Sequence, residues 1–213
     1  MKFQGNYMNY PKKDLQIIIL AAGKSSRYQS PKQLAPWGLL ELIPKLKLLQ
    51  LPINIILGAH FEKIKKCIPL ELNVSIIENR RFELGLSSSL KIAYEHFPNS
   101  DLFFVVVDMP HIPIDHYVKL KEKFFMDPEK CYATSFNDLD NNLGIVDNLG
   151  VPAIIPSRFT KEILSLGGDR GAKQILKNHD YQACGKRELE LVFYQDYERE
   201  NYNYPFNGER PTT

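Results

Sequence analysis

LAAGKSSRYQSPKQL, residues Leu20 to Leu34, follows the apolar run Ile17-Ile18-Ile19 without a break. It contains Gly23-Lys24-Ser25, the ending of a P-loop. A P-loop also needs a glycine five residues before its Gly-Lys pair. That position is Ile18, a β-branched residue inside a run that reads as a buried strand and cannot supply a tight first turn. The spacing excludes a Walker loop. What remains is a strand over Gln16 to Leu20 that runs straight into a loop of small residues, hydroxyls and cations.

Working outward, strand and helix patterns alternate. Leu39 to Leu49 carries apolar residues at helical spacing, with Pro44 expected to kink or shorten the helix. Ile53 to Leu57 is a second apolar strand closed by Gly58, and Phe61 to Ile68 a short helix. Val74 to Ile77 predicts a third strand, and Ser87 to His96 a helix after a polar turn. Leu102 to Val107, LFFVVV, is the most hydrophobic run and predicts a central parallel strand. A helix over Ile114 to Phe125 and a short strand near Tyr132 follow. Asn137 to Asn148, rich in Asn, Asp and Gly, reads as a hairpin or loop. Val151 to Ile155 and Leu189 to Phe193 predict strands, with helices between them around Lys161–Leu166 and Gly171–Asn178. This alternation predicts a three-layer α/β fold with a mostly parallel sheet. The length of 213 residues predicts one domain, with 1–13 and about 205–213 as flexible tails.

Composition narrows the function classes. With 27 basic and 25 acidic side chains the net charge is +2, too balanced for a nucleic-acid footprint. No apolar run reaches the roughly 20 residues of a membrane span. The polar N-terminus MKFQGNYMNYPKKD lacks the apolar centre of a signal peptide, and Met8 is an alternative start. Cys67, Cys131 and Cys184 form no C-x-x-C pair, so neither a zinc knuckle nor a disulfide framework is indicated. Scattered thiols fit a cytoplasmic protein.

Ligands of open α/β sheets bind at the carboxyl ends of the strands. Two segments fall at such ends, and two more lie at helix starts. Ala21-Ala22-Gly23 lets backbone N–H groups approach an anion, and Ser25, Ser26, Arg27 and Lys32 add donors suited to a triphosphate. An ordinary turn with solvated charges explains the same residues equally well. Asp108, directly after LFFVVV, sits at the rim as a magnesium ligand or as a turn and capping residue. Gly85-Leu86-Ser87-Ser88-Ser89-Leu90, downstream of Asn79, offers more hydroxyls than a helix cap needs. Gly168-Asp169-Arg170-Gly171-Ala172 is a charged turn entering a helix. The five histidines show no metal-ligand spacing, and no Ser-His-Asp or Cys-His order supports covalent catalysis.

Taken in order, these segments resemble the nucleotidyltransferases that mature the molybdenum cofactor, the MobA-like group, and within it most of all the molybdenum cofactor cytidylyltransferases. The family loop Leu-Ala-Ala-Gly-x-Ser-x-Arg, with a later lysine, is matched by Leu20, Ala21, Ala22, Gly23, Ser25, Arg27 and Lys32. Gly-x-Ser-Ser-Leu is matched by Gly85, Ser87 or Ser88, Ser89 and Leu90, and Asp-x-Pro by Asp108 and Pro110. Gly-Asp-x-Gly-Ala is matched by Gly168 to Ala172, and Gly-x-Pro by Gly150 to Pro152. The likeness runs from about Ile17 to Asn178.

The resemblance implies a Rossmann-like fold and transfer of a nucleoside monophosphate from an NTP to the phosphate of molybdopterin, releasing pyrophosphate, with CTP favoured over GTP. It implies Mg2+ held by Asp108, catalytic roles for Lys32, Arg27 and Asp108, and Lys32 rather than Lys24 on the phosphates. It implies nucleotide contacts from Leu20, Ala21, Ala22, Gly23, Ser25, Arg27, Lys32, Asn79, Gly85, Ser88 and Ser89. A molybdoenzyme receiving the cofactor is the implied partner.

The chain departs from the family pattern in three places. The late Asp-x-Asp-x-Pro segment stands as Asn201-Tyr202-Asn203-Tyr204-Pro205, replacing carboxylates by weaker amide ligands. Val107-Asp108-Met109-Pro110 is nearer the guanylyltransferase version of its corner than the cytidylyltransferase one. The loop after Trp37-Gly38 is also short. Two other functions therefore stand beside the first: a catalytically weak nucleotide- or cofactor-binding maturation protein, and a nucleotidyltransferase acting on another small phosphate.

Overall fold

The computed structural model describes residues 14–25, 30–135, 149–165, 167 and 189–193. In chain order they form β1 (Leu15–Ala21), α1 (Leu39–Lys47), β2 (Ile53–Leu57), α2 (Phe61–Cys67), β3 (Ser75–Glu78) and α3 (Leu86–His96). These are followed by β4 (Asp101–Val106), α4 (Ile114–Met126), β5 (Cys131–Ser135), β6 (Leu149–Ile155), α5 (Thr160–Ser165) and β7 (Leu189–Phe193). The expected elements that fall on described residues are all present, with ends displaced by a residue or two. The expected loop at Asn137–Asn148, the second late helix and both tails lie outside the described residues.

The strands form one sheet in the order β3-β2-β1-β4-β6-β5-β7. β1 pairs in parallel with β2 on one side and β4 on the other, and β2 with β3. β6 alone runs against its neighbours β4 and β5, while β7 is parallel to β5. The sheet is thus mostly parallel, and the fold is Rossmann-like α/β.

Alternation along the strands explains the three layers. Ile17, Ile19, Ile55, Phe103 and Val105 face α1, α2 and α4, meeting Leu42, Ile43, Leu46, Ile64, Tyr117, Leu120 and Phe124. Ile18, Leu20, Ile56, Leu102 and Phe104 face the other way, onto Leu90, Ala93, Tyr94, Phe159 and Ile163 of the α3 and α5 side. A strand covered on both faces must be apolar at every position. This is why β1, β2 and β4 read as unbroken hydrophobic runs. Each such side chain contributes about 2 kcal/mol of burial.

Pro44 shortens the helix rather than ending it. The helix runs through it from Leu39 to Lys47, although it stops two residues short of Leu49. Proline at this position removes the hydrogen bond to the carbonyl of Leu40. Leu40 lies on the exposed side of α1, 48% accessible, where that carbonyl is not stranded in the core. The buried stripe Leu39, Leu42, Ile43 and Leu46 then holds the helix.

Candidate active site

Chain order reverses between β1 and β4: β1 continues to β2 on one side, and β4 lies on its other side. A crevice at the carboxyl ends of such a strand pair is where open α/β sheets bind ligands. The loop after β1 and the corner after β4 meet there. Lys32 Nζ donates to Asp108 Oδ2 at 2.5 Å, joining residues 76 positions apart. The lysine side chain is 23% exposed and the aspartate 46%, so a cation and an anion stand at the lip of the crevice. The match of Lys32 and Asp108 to separate family motifs thus becomes a physical pair.

The loop that delivers Lys32 is held by Gln33, a residue that no motif or spacing singles out. Its side chain is fully buried. Nε2 donates to the carbonyls of Ala21 at 2.8 Å and Gly23 at 3.1 Å, and Oε1 accepts from the Ser25 hydroxyl at 3.2 Å. Ser25 Oγ also accepts the backbone N–H of Lys32 at 3.2 Å. Ser25 has φ +53°, a left-handed conformation costly for a residue with a side chain. These hydrogen bonds fix it there. A lone glutamine beside a lysine carries no periodicity, so only the fold reveals its work. Gly23 is open: a Cβ built on it would meet nothing within 4 Å.

The opposite wall comes from β2 and β3. A Cβ on Gly58 would lie 2.5 Å from Phe82 Cβ and 2.8 Å from the Ala22 carbonyl, so only glycine lets these segments touch. Ala59 N–H donates to that same carbonyl at 3.0 Å. Lys24 reaches across to Glu83 at 2.7 Å and lies 5.8 Å from the Phe82 ring centroid. The hydrogen bond from Lys24 holds the Glu83 carboxyl below its ordinary range. Lys24 and Lys32 therefore point to different partners.

Asn79, fully buried, donates to Ser88 Oγ at 2.8 Å and Ser89 Oγ at 3.0 Å, and accepts from Arg81 N–H at 2.9 Å. Ser88 Oγ donates to the Gly85 carbonyl at 2.7 Å. Gly85 precedes α3 at φ +87°, a conformation suited to glycine. Asn79 and the serines thus form one buried polar knot that fixes the start of α3. Leu20, Ala21 and Ala22 end β1 as buried residues. Arg27, Ser26, Gly168–Ala172 and Asn201–Pro205 lie outside the described residues.

Among the described residues no three His, Cys, Asp or Glu side chains gather to hold a metal ion. Asp108 brings its carboxylate to the lip of the crevice. Magnesium is commonly held by one or two carboxylates plus substrate phosphates, which makes Asp108 a candidate metal ligand. No described helix is long and apolar enough to cross a membrane.

Residues 17–183 match the MobA-like NTP transferase domain. The chain belongs to that family. Among solved structures it is similar to Rv0371c of Mycobacterium tuberculosis, with 17% identity, TM-score 0.63, and 85% of this chain and 89% of that one covered. Rv0371c has also been solved in complex with manganese. A nucleotidyl transferase from Methanothermobacter thermautotroptrophicus superposes with TM-score 0.63 at 17% identity, covering 84% and 86%. The 4-diphosphocytidyl-2C-methyl-D-erythritol synthase of Anaerococcus prevotii gives 0.62 at 16%, covering 85% and 87%. At such identities these likenesses carry the fold. No curated relative matches the chain.

Proposed function

We propose that this MobA-like protein transfers a nucleoside monophosphate from an NTP, CTP in preference to GTP, to the terminal phosphate of molybdopterin. The observation that carries the reading is the convergence of Lys32 and Asp108 at the β1–β4 switch point, beside a loop of small residues. An oxygen of the acceptor phosphate attacks the α-phosphorus and forms the new P–O bond. The bond from that phosphorus to the bridging oxygen breaks, and its electron pair leaves with pyrophosphate. The attacking oxygen is already ionised, so no general base is required. Catalysis is then positioning and charge neutralisation.

Lys32 supplies a mobile point charge for the phosphates, and Arg27 a second cation. Gly23 and the adjacent backbone admit the triphosphate closely. Asp108 would hold the divalent cation, which when bound neutralises charge on the α-phosphate and the departing pyrophosphate. The buried knot of Asn79, Ser88 and Ser89 fixes the α3 start at Gly85, where the nucleotide is bounded on its other side. The proposal includes a single domain, a cytoplasmic setting and a molybdoenzyme as recipient of the product.

The test is pyrophosphate release with molybdopterin, Mg2+ and each of CTP, GTP, ATP and UTP. Release with CTP above the others supports the reading, and no release with any NTP contradicts it. A second reading, a weakly catalytic nucleotide-binding maturation protein, draws on the asparagines at 201 and 203, where the resemblance expects carboxylates. It is distinguished by nucleotide-dependent thermal stabilisation without turnover.

A further inference from the structure

A second lysine bears on the Asp108 corner from the opposite side. Residues Asp108 to Pro113 turn from β4 into α4 with two prolines, which remove two backbone donors. Within this corner the backbone supplies one long hydrogen bond, Ile112 N–H to the Met109 carbonyl at 3.4 Å. The buried Ile112 side chain anchors one end. The carbonyls of Pro110 and Ile112 converge on one group, Lys45 of α1. Its Nζ donates to Pro110 O at 2.9 Å and reaches Ile112 O at 3.5 Å.

We propose that Lys45 is a positioning residue for the nucleotidyl-transfer site: by binding the Pro110 and Ile112 carbonyls it fixes the corner that presents Asp108 to the divalent cation. It acts through the backbone of the corner and touches no substrate. The inference rests on the proposed function and adds a residue from the far side of the corner, outside the motifs that carry the family resemblance.

Burial pushes the Lys45 ammonium below its ordinary range, while Glu41 one turn earlier pushes it back up. A partly buried charge is costly unless its donors are occupied. Leucine or methionine would fill an interior site beside α1 without that cost. A cation aimed at two carbonyls of a corner that holds two prolines fits a role in fixing that corner. A lysine elsewhere on this side provides the control. Lys121 of α4 donates to the Leu49 carbonyl at 3.1 Å, tying α4 to the chain after α1 without touching the corner.

The experiment compares Lys45→Met, Lys45→Arg, Lys121→Met and Asp108→Asn in the full chain. Mn2+ uptake is followed by electron paramagnetic resonance with CTP and, separately, GTP, together with thermal melting. Residues that orient a metal ligand cost on the order of 10-fold in metal affinity when removed. Lys45→Met is expected to weaken Mn2+ uptake by about that factor. Lys45→Arg, which keeps donors for both carbonyls, restores most of the affinity, and Lys121→Met leaves it unchanged. Should Lys45→Met fail to fold, Lys45→Leu, which likewise removes the donors, carries the same readout. Unaltered Mn2+ uptake in a folded Lys45 variant, or an equal loss in Lys121→Met, overturns the inference. If Asp108→Asn itself takes up Mn2+ like the unaltered protein, the metal-holding role of Asp108 fails instead.

Discussion

Lys32 Nζ lies 2.5 Å from Asp108 Oδ2, so the lysine expected on the phosphates and the carboxylate expected on the metal are each other's counter-ion. On the proposed function, a cation arriving at Asp108 would displace the ammonium, and an arriving triphosphate would draw that ammonium away. Each substrate component would thereby prepare the place of the other.

The exchange has opposite-signed consequences in one variant. Lys32→Met is expected to weaken NTP binding at least 10-fold, the loss of one charge-assisted hydrogen bond of about 1.5–3 kcal/mol. The same variant, freed of its competing ammonium, is expected to bind Mn2+ without nucleotide roughly fivefold more tightly, about 1 kcal/mol. Lys24→Met, whose partner is Glu83, should show the first effect weakly and the second not at all. Isothermal titration of both variants with NTP and with Mn2+ tests this. Equal losses of NTP affinity would remove Lys32 from its role.

Asp108→Asn is expected to lower divalent-dependent turnover by about 100-fold or more, as for lost electrostatic stabilisers in general. Its melting should barely move, because the carboxylate is half-exposed and an ion pair at such a site contributes at most about 1 kcal/mol. Activity and melting measured on one preparation separate the two effects. Unchanged pyrophosphate release would leave Asp108 a turn residue.

Gln33→Leu should act through the loop. It strands the Ala21 and Gly23 carbonyls and the Ser25 hydroxyl, a cost of about 1–3 kcal/mol where the acceptors stay buried. NTP affinity is expected to fall along with stability, while Mn2+ uptake at Asp108 without nucleotide is retained. Urea unfolding with the two titrations checks it. Full NTP affinity in the variant would show that the loop holds its shape without Gln33.

His116 gives the pH signature of the fold. It packs between α4 and β5, with Nε2 2.8 Å from Thr134 Oγ1. Thr134 Oγ1 donates to the Pro152 carbonyl at 2.7 Å, so it accepts from the ring. Burial, with the Lys119 charge adding to it, lowers the His116 pKa to about 4. The unfolded chain, with the histidine near its ordinary value of about 6.5, then binds more protons than the folded one between these values. Stability is full above about pH 6.5 and declines as pH falls towards 4, by on the order of 2 kcal/mol. In His116→Gln this part of the decline should vanish; denaturant midpoints from pH 7 to 4.5 measure it, and an unaltered slope would refute it.

What the sequence disclosed follows from the range of the interactions involved. β1, β2 and β4 were legible because burial on both faces demands unbroken apolar runs, and α3 and α4 because their stripes repeat at helical spacing. The direction of β6 was not legible, since an apolar strand reads alike in either sense. Whether Pro44 would kink the helix or merely leave it short was not legible, because its cost depends on the surroundings of Leu40, which only packing fixes. Lys32 and Asp108 were found through motif likeness, yet their contact across 76 positions belongs to the fold. Gln33 and Lys45 carried no signal, because their donors go to backbone carbonyls, which every residue has.

The central claim is nucleotidyl transfer, and the position of a label tests it most directly. The protein is incubated with molybdopterin, Mg2+ and CTP labelled at the α-phosphate, with GTP labelled in the same way as a parallel. The label is expected on the pterin product, one pyrophosphate appearing for each label transferred, and both are lost in Asp108→Asn. Release of inorganic phosphate without pyrophosphate, or no label on the pterin with either nucleotide, would contradict it.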